Sequence, residues 1–238
     1  MPRRPLGAQR TKASDRQHES IAELDQGLLG FEMLMAAVRQ ALEGDDPALL
    51  MRLANDHVWA ATHRVPSDGG PQMIPHHGIK NLAYDDRAEA HALLGAMSIL
   101  YPDELDRGLA SAAFSYGEHE FPGWVADLAT LMIESAHVAD DPLGLCEIVG
   151  VVMVAESCQI EVYVDLGTDP AVVHDTGMRT IGPGEPVLVR ESPRCRPVSF
   201  NEIRPTLERA VRAADCDGHG PQGALPIVEW LLRIAPPE

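Results

Sequence analysis

Apolar residues recur at steps of three and four through much of the first half of the chain, which is the spacing of one helical face. The clearest stripe consists of Ile21, Leu24, Leu28, Phe31, Met35, Val38 and Leu42. Ser20 and Glu23 form a capping-box pattern at its start, and Gly44 is placed to end the helix. Because two heptads are too few for a coiled coil, the stripe predicts one helix of an intramolecular bundle, with a dimerising seam as the alternative.

Six further helices are predicted by acidic N-caps or by proline at the first helical position. They begin at Asp46-Pro47, at Asp85 or Asp86, at Asp103, after Pro122, at Pro205 and at Pro226. The helix at Asp103 carries an apolar stripe of Leu105, Leu109, Ala112 and Tyr116. The helix after Pro122 carries a polar stripe of Asp127, Thr130, Glu134 and His137, which we interpret as a solvated face. Between the second and third helices, residues 66–84 are predicted to form a long loop rich in Gly and Pro.

The period changes near residues 140–142, where strands replace helices. Residues 148–155, IVGVVMVA, are apolar without alternation, which is typical of a strand covered on both faces. Residues 158–166, CQIEVYVDL, alternate, which predicts a hairpin partner with Glu161 on a face in water. Shorter strands are predicted at 178–181 and 186–191. The pattern therefore predicts an α+β fold, in which a mostly helical N-terminal region precedes a small antiparallel sheet with two C-terminal helices.

Charge is distributed unevenly along the chain. The formal net charge is -17, yet the first residues are rich in basic side chains. These are Arg3, Arg4, Arg10, Lys12 and Arg16. We predict a disordered basic tail over 1–19, a helical region over 20–140 and a small α+β region over 141–238, the last two forming either one domain or two.

The composition also excludes several classes of protein. The acidic charge argues against binding to nucleic acid or to anionic membranes, because phosphates would be repelled. No apolar run approaches the ~18 residues of a membrane span, and the tail lacks the apolar segment of a secretory signal. The cysteines lack Cys-x-x-Cys spacing, which is typical of a reduced, cytoplasmic protein.

Histidines and carboxylates provide the clearest hypothesis for chemistry. His76 and His77 lie in the predicted long loop, and Asp85, Asp86 and His91 follow closely. Imidazole and carboxylate groups bind zinc or another divalent metal, which can activate water for hydrolysis. Adjacent residues on an extended loop point apart, so His76 and His77 are not expected to bind one ion. The simpler interpretation is a surface loop, and on this interpretation no cofactor is predicted.

The stretch VYVDLGTDP at residues 162–170 resembles in outline the first phosphate loop of the actin, sugar-kinase and heat-shock-chaperone ATPases. That resemblance implies that nucleotide phosphates lie near Asp165, Gly167 and Thr168. However, Asp169 adds a negative charge and Pro170 lacks an N–H group where a phosphate needs donors. We therefore interpret the stretch as a strand that ends in a turn.

The remaining polar residues favour structural roles. His57 lies in line with apolar positions and is predicted to be hydrogen-bonded at the edge of the core. Cys158 is the best-placed thiol for nucleophilic catalysis, but the nearby Glu156 is expected to disfavour the thiolate, which is the reactive form. Residues 215–220, DCDGHG, resemble only part of a calcium loop and are interpreted as a turn between the last two helices.

These observations favour a non-catalytic module that binds a protein partner or a copy of itself. The alternative is a metal-dependent hydrolase that uses His76, His77 and His91 together with Asp85 or Asp86.

Overall fold

The computed structural model describes residues 29–62, 75–116, 118–140, 146–167, 173–191, 194–217 and 225–235. The described residues up to 37 belong to one compact unit, and those from 38 onward belong to another. The described helices are α1 (29–43), α2 (Pro47–Thr62), α3 (Pro75–Ala83), α4 (Ala88–Leu100), α5 (Glu104–Ser115), α6 (Gly123–Asp127), α7 (Phe200–Asp217) and α8 (Leu225–Ile234). The described strands are β1 (Met132–Asp140), β2 (Cys146–Val154), β3 (Gln159–Gly167), β4 (Val173–Thr180) and β5 (Arg196–Val198).

The five strands form one antiparallel sheet in the order β4-β3-β2-β1-β5. This arrangement confirms the predicted α+β class, with helices before and after the sheet. The helix α2 contacts β3 and β4 of the sheet as well as α4. Nearly every residue of α4 is buried, and it also contacts α3, α5, α6 and α8, so α4 is the central helix of the helical layer.

Several helix ends confirm their predicted capping signals. Asp46 accepts a hydrogen bond from the backbone N–H of Leu49 (3.0 Å), and Pro47 is the first residue of α2. Asp103 accepts from the backbone N–H groups of the second and third residues of α5. The first predicted helix ends at Gly44 as expected, although Asp45 rather than the glycine takes a positive φ of 49°. Residues 1–28, which include the predicted basic tail and the start of that helix, lie outside the described residues.

The helix predicted after Pro122 is wrong beyond Thr130. A short 3-10 turn, Leu128–Thr130, follows α6, and the chain then enters β1, so strands begin at residue 132. The residues of the predicted polar stripe therefore do not share one helix, because Glu134 and His137 lie in β1. Asp127 accepts hydrogen bonds from the Ser157 hydroxyl and backbone N–H, whereas His137 is buried in the sheet. The backbone N–H and C=O groups of this segment are hydrogen-bonded because β1 pairs with β2 and β5. The local spacing of apolar residues does not reveal such pairing with other strands. Whether 20–140 and 141–238 are separate domains stays a prediction.

Three other predicted elements are also corrected. The strand predicted at 186–191 is wrong, because a 3-10 turn, Leu188–Glu191, lies there. The loop predicted over 66–84 is wrong over Pro75–Ala83, which forms α3 with proline at its first position. The helix predicted at Pro205 begins instead at Phe200, where Ser199 and Glu202 form a capping box. No described helix is both long and apolar enough to cross a membrane.

The segment after β4 folds over one face of the sheet. Val187 and Ile181 pack against Val152 of β2, which confirms that this strand is covered on both faces. Glu161, which was predicted to face water, is fully buried beneath the same segment. Its carboxylate pairs with Arg179 (2.8 Å) and accepts hydrogen bonds from the backbone N–H groups of Leu188 (3.0 Å) and Val189 (3.1 Å).

A buried imidazole lies beside this segment. Arg190 donates through Nε to His137 Nε2 (2.8 Å) and through Nη2 to Ser135 Oγ (3.2 Å). Burial and the positive charge of Arg190 lower the pKa of His137, although Glu161 acts in the opposite direction. Burial also lowers the pKa of His57, whose Nε2 has no hydrogen-bond partner among the described residues. The hydrogen bond predicted for His57 is therefore not found at that nitrogen.

We expect the free energy of unfolding to fall as the pH drops below 6.5, the ordinary pKa of histidine. Between this value and the lower folded-state pKa values of His57 and His137, the unfolded chain binds more protons than the folded chain, so stability decreases with falling pH. Urea unfolding at about pH 7.5 and about pH 5.5 measures the difference. His57→Gln should reduce the difference in stability between the two pH values. Equal stability of the wild-type protein at the two pH values would contradict the expectation. Asp56 opposes the effect, because burial raises its pKa and the folded chain therefore takes up this proton more readily than the unfolded chain.

Candidate binding cleft

A cleft of 780 Å³ lies between α3, α4 and α5. Its walls are mainly apolar, with Ile79 and Ala83 from α3 and with Leu109 and Ala113 from α5. Tyr84 and the residues after α5 complete the lining. The volume falls within the range of about 300–1,000 Å³ found for ligand sites in proteins.

A series of ring contacts positions the segment that follows α5. Phe114 lies against Gly95 of α4, where an added Cβ would be 3.1 Å from the ring. The Phe114 ring also contacts Phe121, with ring centroids 5.7 Å apart, and Phe121 contacts His119 at 6.0 Å. His119 in turn lies 4.9 Å from the ring of His91 on α4. These contacts place two imidazoles in the lining of the cleft.

His91 is the buried polar group of the cleft. The residue is 7% exposed, and its Nδ1 has no hydrogen-bond partner among the described residues. A buried polar atom without a hydrogen-bond partner is energetically unfavourable. Among the described residues, the charged side chains in the lining are Lys80, Asp86 and Glu118.

The apolar stripe of α5 faces outward, which reverses the usual arrangement of an amphipathic helix. Leu105 is 62% exposed, Leu109 42% and Tyr116 86%, whereas the buried residues of α5 are Asp106 and Ala110. Leu109 lines both the cleft and a neighbouring depression of 580 Å³, which also includes Leu105, Asp103 and Glu104. The exposed apolar surface is therefore continuous along α5.

Of the predicted metal ligands, the structure describes the side chains of Asp85, Asp86 and His91 but not those of His76 and His77. Asp85 is bound by Arg87, with Nη2 2.8 Å from Oδ2 and Nε 2.9 Å from Oδ1, and these hydrogen bonds lower its pKa. His91 is near enough to Asp85 to contribute to this lowered pKa, and it lines the cleft together with Asp86. His76 and His77 belong to α3 rather than to an extended loop, but their side chains lie outside the description. Among the described residues, no three His, Cys, Asp or Glu side chains are placed to hold a metal ion. A site that includes His76 and His77 stays a prediction.

The other candidates lie in regular structure where they are described. Asp165 belongs to β3 and is paired with Ile148 of β2 and Asp175 of β4, whereas residues 168–172 lie outside the described residues. Burial and the carboxylate of Asp127 raise the pKa of Cys158 to about 11. The thiolate is therefore disfavoured as predicted, although Asp127 rather than Glu156 contributes the charge. Residues 215–217 end α7, and 218–220 lie outside the description.

Comparisons of the chain with protein-family models, curated proteins and solved structures found no match. The features from which a function can be inferred are therefore the cleft and α5. Sequence reasoning identified His91 and the α5 stripe but did not single out His119. Lys80, which also lines the cleft, offered a weak signal for this region in the sequence, because it is one of only two lysines in the chain.

Proposed function

We propose that this protein is a non-catalytic interaction module, and that α5 with the adjacent cleft is its docking surface for a protein partner. The observation that carries the proposal is the outward stripe of Leu105, Leu109 and Tyr116 on a helix that buries Asp106. Exposed apolar surface is worth about 25 cal/mol per Å² when it is removed from water, so covering this stripe favours association. Contiguous patches of this kind are typical of interaction sites.

A partner of different charge is favoured over a second copy of the same chain. Two copies with a formal charge of -17 each would repel one another at long range. The metal-dependent hydrolase remains the alternative hypothesis. Native mass spectrometry before and after treatment with a chelator distinguishes them, because the hydrolase requires a stoichiometric divalent ion that the chelator removes.

We expect a photo-crosslinking residue at position 116 to capture a defined partner from a lysate of the source organism. Leu109→Ser should abolish the crosslink, because it removes an apolar contact at the centre of the surface without adding charge. Met132→Ser is the matched control, since Met132 is also a large exposed apolar residue, but it lies on β1. The measurement is the yield and sequence of the crosslinked peptide. Equal yields from the two serine variants, or no crosslink in any of them, would contradict the proposal.

A further inference from the structure

We infer that the segment of the partner that binds α5 is a basic amphipathic α-helix about three turns long. The inference depends on the proposed function, because it identifies the occupant of the same surface. It follows from the spacing of the apolar residues on α5 and from the charges around them.

The length and shape of the surface fit a helix. Leu105, Leu109 and Tyr116 follow one another at steps of four and seven, which corresponds to about 16 Å along α5 at 1.5 Å per residue. The two depressions that share Leu109 extend the surface across the neighbouring turns. A helix that presents apolar side chains at i, i+4 and i+7 matches such a groove. The groove walls come from α3, α4 and α5, so this surface offers no strand edge for an extended peptide to join.

The charges around the surface indicate that the polar face of that helix is basic. The acidic residues that line the two depressions are Asp86, Asp103, Glu104 and Glu118, and all four are exposed. Of the residues that the structure describes, Lys80 is the single lysine or arginine in the same linings. Lysine and arginine beside the apolar stripe of the partner would therefore meet carboxylates at both ends of α5. The net charge of -17 would also accelerate the encounter with a basic segment at low salt.

The test uses three synthetic peptides of about 16 residues, long enough to cover the stripe. The basic peptide has leucine at helical spacing and lysine at the flanking positions. The acidic peptide has glutamate in place of each lysine. The scrambled peptide has the composition of the basic peptide but no apolar stripe. Each is labelled, and its binding to the full chain is followed by fluorescence anisotropy.

We expect the basic peptide to bind saturably at one site, with an affinity that decreases as salt increases. Leu109→Ser should weaken this binding at least about tenfold, as expected for an apolar residue at the centre of an interface. Met132→Ser should leave it unchanged. Glu104→Gln combined with Glu118→Gln should weaken it less and should reduce its dependence on salt.

Several outcomes would overturn the inference, and they are distinguishable from failure of the proposed function. Equal or tighter binding of the acidic peptide would show that the charge assignment is wrong. Equal binding of the scrambled peptide would show adsorption to an acidic protein. A dimer detected by native mass spectrometry and lost in Leu109→Ser would make a second copy the occupant. If no peptide binds but position 116 still crosslinks a partner, the inference fails and the proposed function stands. If neither occurs, both fail.

Discussion

Replacing Glu161 with alanine should lower the free energy of unfolding by about 3–5 kcal/mol, the loss typical of breaking a buried ion pair from one side. Glu161 is 0% exposed, and its two oxygens accept from Arg179, Leu188 and Val189. Without the carboxylate, the backbone N–H groups of Leu188 and Val189 and the Nε of Arg179 lose their acceptor, whereas Nη2 of Arg179 still donates to the Pro186 carbonyl oxygen. Urea unfolding followed by circular dichroism measures the change.

Glu185→Ala is the matched control for this substitution. Glu185 also approaches Arg179, at 3.6 Å, but its side chain is 53% exposed. An exposed ion pair contributes about 0–1 kcal/mol, so this variant should remain close to wild type in stability. Equal losses in the two variants would mean that burial of Glu161 is not the cause.

Gly150→Ala should destabilise the protein by about 1–3 kcal/mol, because it forces an extra methyl group into a filled space. A Cβ on Gly150 would lie 2.5 Å from Val189 Cγ2 and 2.8 Å from Val189 Cβ. Val189 is held in place by the bond from its backbone N–H to Glu161, so the 3-10 turn would have to move away from the sheet. The same urea titration measures the effect.

Two further variants identify the clash as the cause. Gly108→Ala makes the same chemical change in α5, where nothing lies within 4 Å of the added methyl group. It should stabilise the protein by up to about 1 kcal/mol through helix propensity. The double variant Gly150→Ala and Val189→Ala should lower the free energy of unfolding by less than the sum of the decreases in the two single variants, because the smaller side chain relieves the overlap. Strict additivity would contradict this explanation.

Local signals account for the parts of the fold that the sequence predicted. Asp46, Asp103 and Pro226 act on neighbouring backbone groups, so a few residues were enough to place α2, α5 and α8. The apolar run at 148–155 likewise identified β2.

The missed elements depend on residues distant in sequence. The segment 132–140 is a strand because β2 and β5 pair with it, and β5 comes from near the end of the chain. The turn at Leu188–Glu191 is fixed by Glu161 on β3. The α5 stripe was visible in the sequence, but its outward direction depends on how α3 and α4 pack around it.

The order β4-β3-β2-β1-β5 also has a consequence for the kinetics of folding. The first four strands follow one another along the chain and can pair as successive hairpins. The strand β5 must instead return past all of them to reach β1, and closing such a long loop is slow. Until it docks, the backbone of β1 at Ala136–Val138 is an open sheet edge that another chain can join. We therefore expect refolding to compete with aggregation at this late step.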